Sequence, residues 1–260
     1  MQLHYQPVGP LANFIELFWY WQEPDLLKGL ECVLPTGTVE LVIDLDSRRS
    51  ADSVIAGVKS RPVIIAREGD RPGRLLGIHF KPGGAFPFLP FPLNELHNCD
   101  LTLADLWGEA QFCELLSMIH GADSIPEKFR LLEQWLMVHT YHPLLHHPSV
   151  SFSTPLLLTM PNIPMQSLTE KVNLSQRHFI HIFQKEMGFT PKLFSRIARF
   201  QRVLNKIESI SSIDWFDVAT DCGYYDQSHF IHEFQEFSGI SPTAYMGLRT
   251  EHRNHLPRTP

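Results

Sequence analysis

His178-Phe179-Ile180-His181, within Ser175 to Pro191, recurs as His229-Phe230-Ile231-His232 within Asp226 to Pro242, at an offset of 51 positions. At the same offset Phe183 matches Phe234, Gly188 matches Gly239, Pro191 matches Pro242 and Phe194 matches Tyr245. A four-residue identity alone could be chance. Further matches at the same offset, each a residue type with a structural job, mark a duplicated supersecondary unit.

The spacing says what that unit is. Phe179, Ile182 and Phe183 fall at i, i+3 and i+4, which puts one apolar stripe on a helix and turns the positions between them outward. Ser175 and Asp226 stand where an N-cap oxygen takes up orphan amides. Gly188 and Gly239 end the helices, and Thr190-Pro191 and Ser241-Pro242 begin the next ones. Before each capped helix lies a shorter helical pattern, Met165 to Val172 and Trp215 to Asp221, then a tight turn. Asn173 and Gly223 supply the left-handed backbone that such a turn needs. Helix, tight turn, helix is the helix-turn-helix, whose second helix can enter a DNA major groove.

Two such units about fifty residues apart, each ending in Phe, four residues and Gly-x-(Ser/Thr)-Pro, resemble the DNA-binding domain of AraC/XylS-type bacterial transcription regulators. Gly223-Tyr-Tyr-Asp-Gln-Ser-His-Phe-x-x-x-Phe234 carries most of the resemblance, which spans roughly Pro161 to Leu248. It implies two recognition helices, 175–187 and 226–238, reading adjacent major grooves. Their outward positions are Gln176, Arg177, Ile180 and His181 in the first, and Gln227, Ser228, His229, His232 and Glu233 in the second. Arg177, near its helix N-terminus, suits a bidentate contact to guanine, and Ile180 offers only apolar contact. By family position Arg177, Ile180 and His181 match base-reading sites. His181 and His232 depart from the family pattern, where arginine is common. Lys185, Arg196, Arg199 and Arg202 are the expected phosphate contacts.

The net charge of −6 over 260 residues hides an uneven distribution. From Met165 to Lys206 there are eight Lys/Arg and two Asp/Glu; from Ile207 to Thr250 there are one and seven. The basic footprint is therefore confined to the first unit and the following helix, Lys192 to Ile207. A composition of 43% apolar and 19% charged residues is that of a soluble globular protein with room for two domains. No apolar run reaches the length of a membrane span and no signal-like N-terminus is present, so a cytoplasmic protein with no membrane partner is expected. Cys32, Cys99, Cys113 and Cys222 lack paired spacing, which fits reduced thiols.

The rest of the chain reads as an N-terminal domain. Pro10 to Phe18 has the spacing of a short helix, followed by a strand at Trp19-Tyr20-Trp21. Short runs at Val39 to Leu45, Ser53 to Ala56, Val63 to Ala66 and Leu75 to Phe80 suggest a small barrel or sandwich. Amphipathic helices follow at Leu101 to Ile119 and Ser124 to Val138, able to cover the β structure or to pair with a second subunit. Phe14-Ile15 to Trp19/Trp21, Leu34-Pro-Thr-Gly37 and Leu76 to Gly83 also resemble an N-terminal domain found before AraC-type domains, which implies a cupin-like β fold with a sensing or dimerising role. The expected class is α+β: a cupin-like β-barrel with flanking helices, then an all-α domain of two helix-turn-helix units joined by a linker helix. The division is 1–138 for sensing or dimerisation, 139–160 as linker, 161–250 for DNA binding and 251–260 as a polar tail.

The expected function is sequence-specific transcription regulation on double-stranded DNA, without enzymatic activity or a cofactor. Its further partners are a small-molecule effector near Trp19, Trp21 and His79, a second copy as homodimer, and RNA polymerase if it activates. Two readings compete. A cupin-like metal enzyme would use His79 with Glu40 or Asp44, although such a site needs two or three histidines. An interaction module in which DNA binding has decayed would explain the acidic second unit.

Overall fold

The computed structural model describes residues 1–22, 29–47, 49–67, 73–208, 213–250 and 252–258. The N-terminal half contributes strands β1 (Gln2–Tyr5), β2 (Ile15–Gln22), β3 (Gly29–Val33), β4 (Glu40–Asp44), β5 (Val54–Ala56), β6 (Val63–Arg67), β7 (Arg74–Phe80) and β8 (Asp100–Thr102). Six of them form an antiparallel sheet in the order β1-β2-β7-β4-β5-β8. Phe18, Tyr20, Leu41, Ile43, Leu76, Ile78 and Phe80 alternate onto one buried face of it. Helices α1 (Leu103–Trp107), α2 (Glu109–Gly121) and α3 (Ile125–Val138) follow. Phe129 of α3 packs on Phe18, with ring centroids 6.2 Å apart, so α3 covers this sheet.

Two expectations change here. Residues 10–18 hold only a 3-10 turn at Gly9–Asn13, and β2 already begins at Ile15. The register shifts between Ile15 and Leu17, and that irregularity spaces Phe14, Ile15 and Phe18 like a helical stripe although the chain is extended. The helix expected over 101–119 is split, because Gly108 sits at φ 88 between α1 and α2.

The C-terminal half is helical: α4 (Pro148–Thr159), α5 (Met165–Val172), α6 (Gln176–Met187), α7 (Pro191–Glu208), α8 (Trp215–Asp221), α9 (Gln227–Ser238) and α10 (Pro242–Leu248). The supposed linker therefore contains a helix. Its prolines misled: Pro148 occupies the first turn, where no amide is needed, and Pro155 is tolerated inside while Val150, Ser153 and Leu157 are buried.

Within the expected polar tail, residues 252–258 are described and include a strand. β9 (His255–Arg258) pairs antiparallel with β3, from Leu30 opposite Arg258 to Val33 opposite His255, and Leu256 is buried. The chain end thus closes a second sheet, β6-β3-β9, with the N-terminal half. Pairing across more than two hundred residues leaves no local trace, and four residues with a proline give little alternation to read.

The two halves meet at the ends of the repeat helices. A side chain at Gly188, the C-cap of α6, would strike Val58 and Leu93, and one at Gly239, the C-cap of α9, would touch Pro62. His97 lies edge-on to Phe189 at 5.2 Å. Gln201 of α7 donates to the Pro35 carbonyl at 2.7 Å and to Asn254 Oδ1 at 2.8 Å. The C-cap of α6 therefore packs on Val58 and Leu93 and that of α9 lies beside Pro62, while the N-terminal residues 176–178 and 227–229 of the two helices are exposed.

Candidate nucleic-acid interface

Each unit is built as its sequence dictates. Asn173, at φ 53, and Gly223, at φ 84, make the two turns in the left-handed region. The Ser175 hydroxyl accepts from the His178 amide at 3.3 Å, and the Asp226 carboxylate accepts from the His229 amide at 2.7 Å. Gly188 and Gly239 are left-handed C-caps. Phe179, Phe183, Phe230 and Phe234 are fully buried, which fixes the face each helix turns inward.

In α6 that leaves Gln176, Arg177 and His181 exposed and Ile180 half-buried. With Gln184 they line a shallow groove of about 580 Å³. Lys185 is exposed as well, its ammonium 5.7 Å from the Phe86 ring on the N-terminal half. Glu186, the one carboxylate of this helix, is buried and accepts from the His147 amide at 3.1 Å, with His146 Nδ1 at 2.9 Å. The groove is therefore free of negative side chains from α6.

In α9 Gln227, Ser228, His229 and His232 are exposed. His229 is less free than the others: its ring stands edge-on to Tyr224 at 5.3 Å, and its Nε2 lies 3.8 Å from Glu233 Oε2. Glu233, expected on the outer face, is 2% exposed. It accepts from Arg196 Nε at 2.7 Å, Arg199 Nε at 3.0 Å and Arg199 Nη2 at 2.8 Å. Burial acts to raise its carboxyl, but the hydrogen bonds and charges of Arg199 and Arg196 outweigh it and hold the group below the ordinary carboxylate range. Burial, with the negative charge of Glu233, pushes the neighbouring Tyr224 phenol well above its usual range.

This corrects part of the phosphate set. Arg199 is buried and committed to Glu233, so it offers nothing to a backbone. Arg196 is bound to Glu233 and, at 2.5 Å, to Glu236. Arg202 donates to the carbonyls of Leu158 at 2.6 Å and Thr159 at 2.9 Å while staying partly exposed. The missed signal was the charge balance itself. Eight cations are followed by seven carboxylates on helices that pack together, and three of each pair across them: Arg196 and Arg199 with Glu233, Arg196 also with Glu236, and Lys206 with Asp221.

The residues expected around an effector stand together on the other face of the six-stranded sheet. Trp19 Nε1 donates to Glu40 Oε2 at 3.2 Å, the other Glu40 oxygen binds His79 Nδ1, and the Trp19 indole lies over Gly77. Burial lowers the imidazole pKa of His79, but the Glu40 hydrogen bond and charge raise it further, to a net rise. Trp21 is half-buried on the same strand. Among the described residues no group of three or more His, Cys, Asp or Glu is placed to hold a metal ion. Nor is any helix of the described residues long and apolar enough to cross a membrane.

Helix, left-handed turn and capped helix, occurring twice on one connecting helix, define a tandem helix-turn-helix protein. Residues 168–247 match a family described as helix-turn-helix domain, and residues 3–102 match a family described as a domain of unknown function. A curated relative, an uncharacterized HTH-type transcriptional regulator from Haemophilus influenzae, is 28% identical over 81 residues, 31% of this chain. The chain spans 27% of that relative's length. Among solved structures, the C-terminal domain of the response regulator AraT from Geobacillus stearothermophilus is similar at 19% identity and TM-score 0.38, over 41% of this chain and 89% of that one. ToxT from Vibrio cholerae is similar at 10% identity and TM-score 0.43, over 95% of this chain and 97% of that one. Residues 168–247 of this chain are thus a helix-turn-helix domain.

Proposed function

We propose that this chain is a sequence-specific DNA-binding transcription regulator, with α6 and α9 entering successive major grooves of one duplex. The observation that carries the reading is the pair of capped helices whose N-terminal residues 176–178 and 227–229 are exposed while their C-caps lie against the N-terminal half, one on Val58 and Leu93 and the other beside Pro62. The 18 residues of α7 make a rod of about 27 Å, of the same order as the roughly 34 Å between successive grooves on one face. Base contacts come from Gln176, Arg177, Ile180 and His181 in the first unit and from Gln227, Ser228, His229 and His232 in the second. Lys185 and Arg202 are the phosphate contacts retained from the expected set.

Residues 1–138 sense an effector or dimerise, with Trp19, Trp21 and His79 beside the effector, and 161–250 bind DNA. The site is cytoplasmic, the protein has no catalytic role, and a homodimer reads a repeat of the single-chain site. RNA polymerase is a partner where the protein activates. The enzyme reading gains no support from His79, whose bonded carboxylate and indole form a pair and not a ligand set.

Selection of full-length protein on random duplex, followed by a salt titration on the enriched sequence, tests the reading. Affinity is expected to fall linearly on a log–log plot, with a slope of about 0.9 per phosphate neutralised. Failure to enrich any duplex, or a flat titration, overturns it.

A further inference from the structure

The Arg199 guanidinium ties α7 to three other pieces of chain. Two of its nitrogens hold both oxygens of Glu233 on α9. Nη1 donates to Asn162 Oδ1 at 2.8 Å, on the segment that enters the first unit, and Asn162 Nδ2 donates to the Gly223 carbonyl at 2.6 Å, in the turn of the second. The guanidinium carbon lies 4.6 Å from the Tyr224 ring centroid. Arg196, one turn earlier on α7, completes the clamp on Glu233.

Apolar packing already holds α9 to α7 here, with Phe200 between Phe234 at 5.3 Å and Phe237 at 5.4 Å. Aromatic contacts are attractive over a range of crossing angles. A bidentate pair between a planar fork and a carboxylate is directional. A buried ion pair is often no more stabilising than apolar residues of the same volume, so orientation is the property it adds.

From this we infer that Glu233 and Arg199, with Arg196 and Asn162, are positioning residues: they fix the angle of the second recognition helix against the first, and so set the half-site spacing that the chain accepts. The inference rests on the DNA-binding reading above. A twelve-residue helix is about 18 Å long, so a 10° swing about one end moves the other by about 3 Å, close to the rise of one base pair. An arrangement held to a few degrees discriminates spacing; a loosened one does not.

The test uses the full chain and the duplex that wild type selects, rebuilt with one base pair inserted or deleted between the half-sites, together with a duplex carrying the first half-site alone. Wild type is expected to lose about tenfold or more on either spacing change, the cost of one misplaced base contact. The paired variant Arg199→Met with Glu233→Met keeps the volume and removes the fork. It is expected to flatten the spacing profile to within about threefold, while binding to the first half-site alone stays within about twofold of wild type. If that variant does not fold, Glu233→Gln, which keeps the shape and removes the charge, is measured in the same way. A folded variant that keeps the wild-type spacing profile overturns the positioning role and leaves the DNA reading standing. A wild type that selects no duplex overturns the DNA reading itself, and the positioning role with it.

Discussion

On α6, Arg177 stands in solvent and the helix's one carboxylate is buried; on α9 there is no lysine or arginine, and two carboxylates, Glu233 and Glu236, face arginines of α7. The two units share caps, turns and phenylalanine cores yet differ in how they present charge. The first carries its own attraction for a polyanion. The second has its carboxylates paired from behind by the connecting helix and presents Gln227, Ser228 and His232 without a lysine or arginine. A segment charge is thus a poor guide to what a helix shows its partner; the pairing of those charges inside the fold decides it.

The cores of the two units should respond alike to truncation. Phe183→Ala and Phe234→Ala each empty a fully buried site, and each is expected to cost about 3–5 kcal/mol in chemical denaturation. A large loss in one and none in the other would show that the units are not equivalent folds. At the reading surfaces inequality is expected. Arg177→Ala should cost about 1–3 kcal/mol against the selected duplex in competition binding and relax the preference at one base pair. Gln227→Ala should cost less, and the reverse order would make the second unit the anchor. The caps should again be alike: Ser175→Ala and Asp226→Ala are each expected to lose about 1 kcal/mol of stability by thermal melting.

The smallest effect lies outside both units. The His79 pKa is raised by Glu40, so the stability contributed by this pair is fully present below the ordinary histidine pKa of about 6.5 and is lost as pH rises through the higher folded value. Thermal melts should show the N-terminal half weakening from pH 6 towards pH 8, and Glu40→Gln should abolish that dependence. A Glu40→Gln protein with the same pH profile as wild type would remove the pair as its cause.

The repeat was legible because its signals are local. A hydroxyl or carboxylate cap, a glycine past the helix end and phenylalanines at i and i+4 each act within one turn, and the structure places Ser175, Asp226, Gly188 and Gly239 in those roles. Local signals also misled. The irregularity in β2 gave Phe14 to Phe18 a helical spacing, and the prolines of α4 disguised a helix whose first turn needs no amide. What stayed hidden depends on distant partners. β9 exists because β3 offers it an edge, and Glu233 turns inward because Arg199 waits on a different helix. Periodicity assigns an exposed face by default to any charged position, so a buried carboxylate is invisible until its cation is located.

Both capped helices are proposed to read one duplex from its major groove. Methylation interference at guanine N7, an atom reached only from that groove, tests it most directly on the selected sequence with the full-length protein. Two clusters of interfering guanines about one helical turn apart are predicted, the stronger beneath the first unit. A single cluster, or none, would contradict the account.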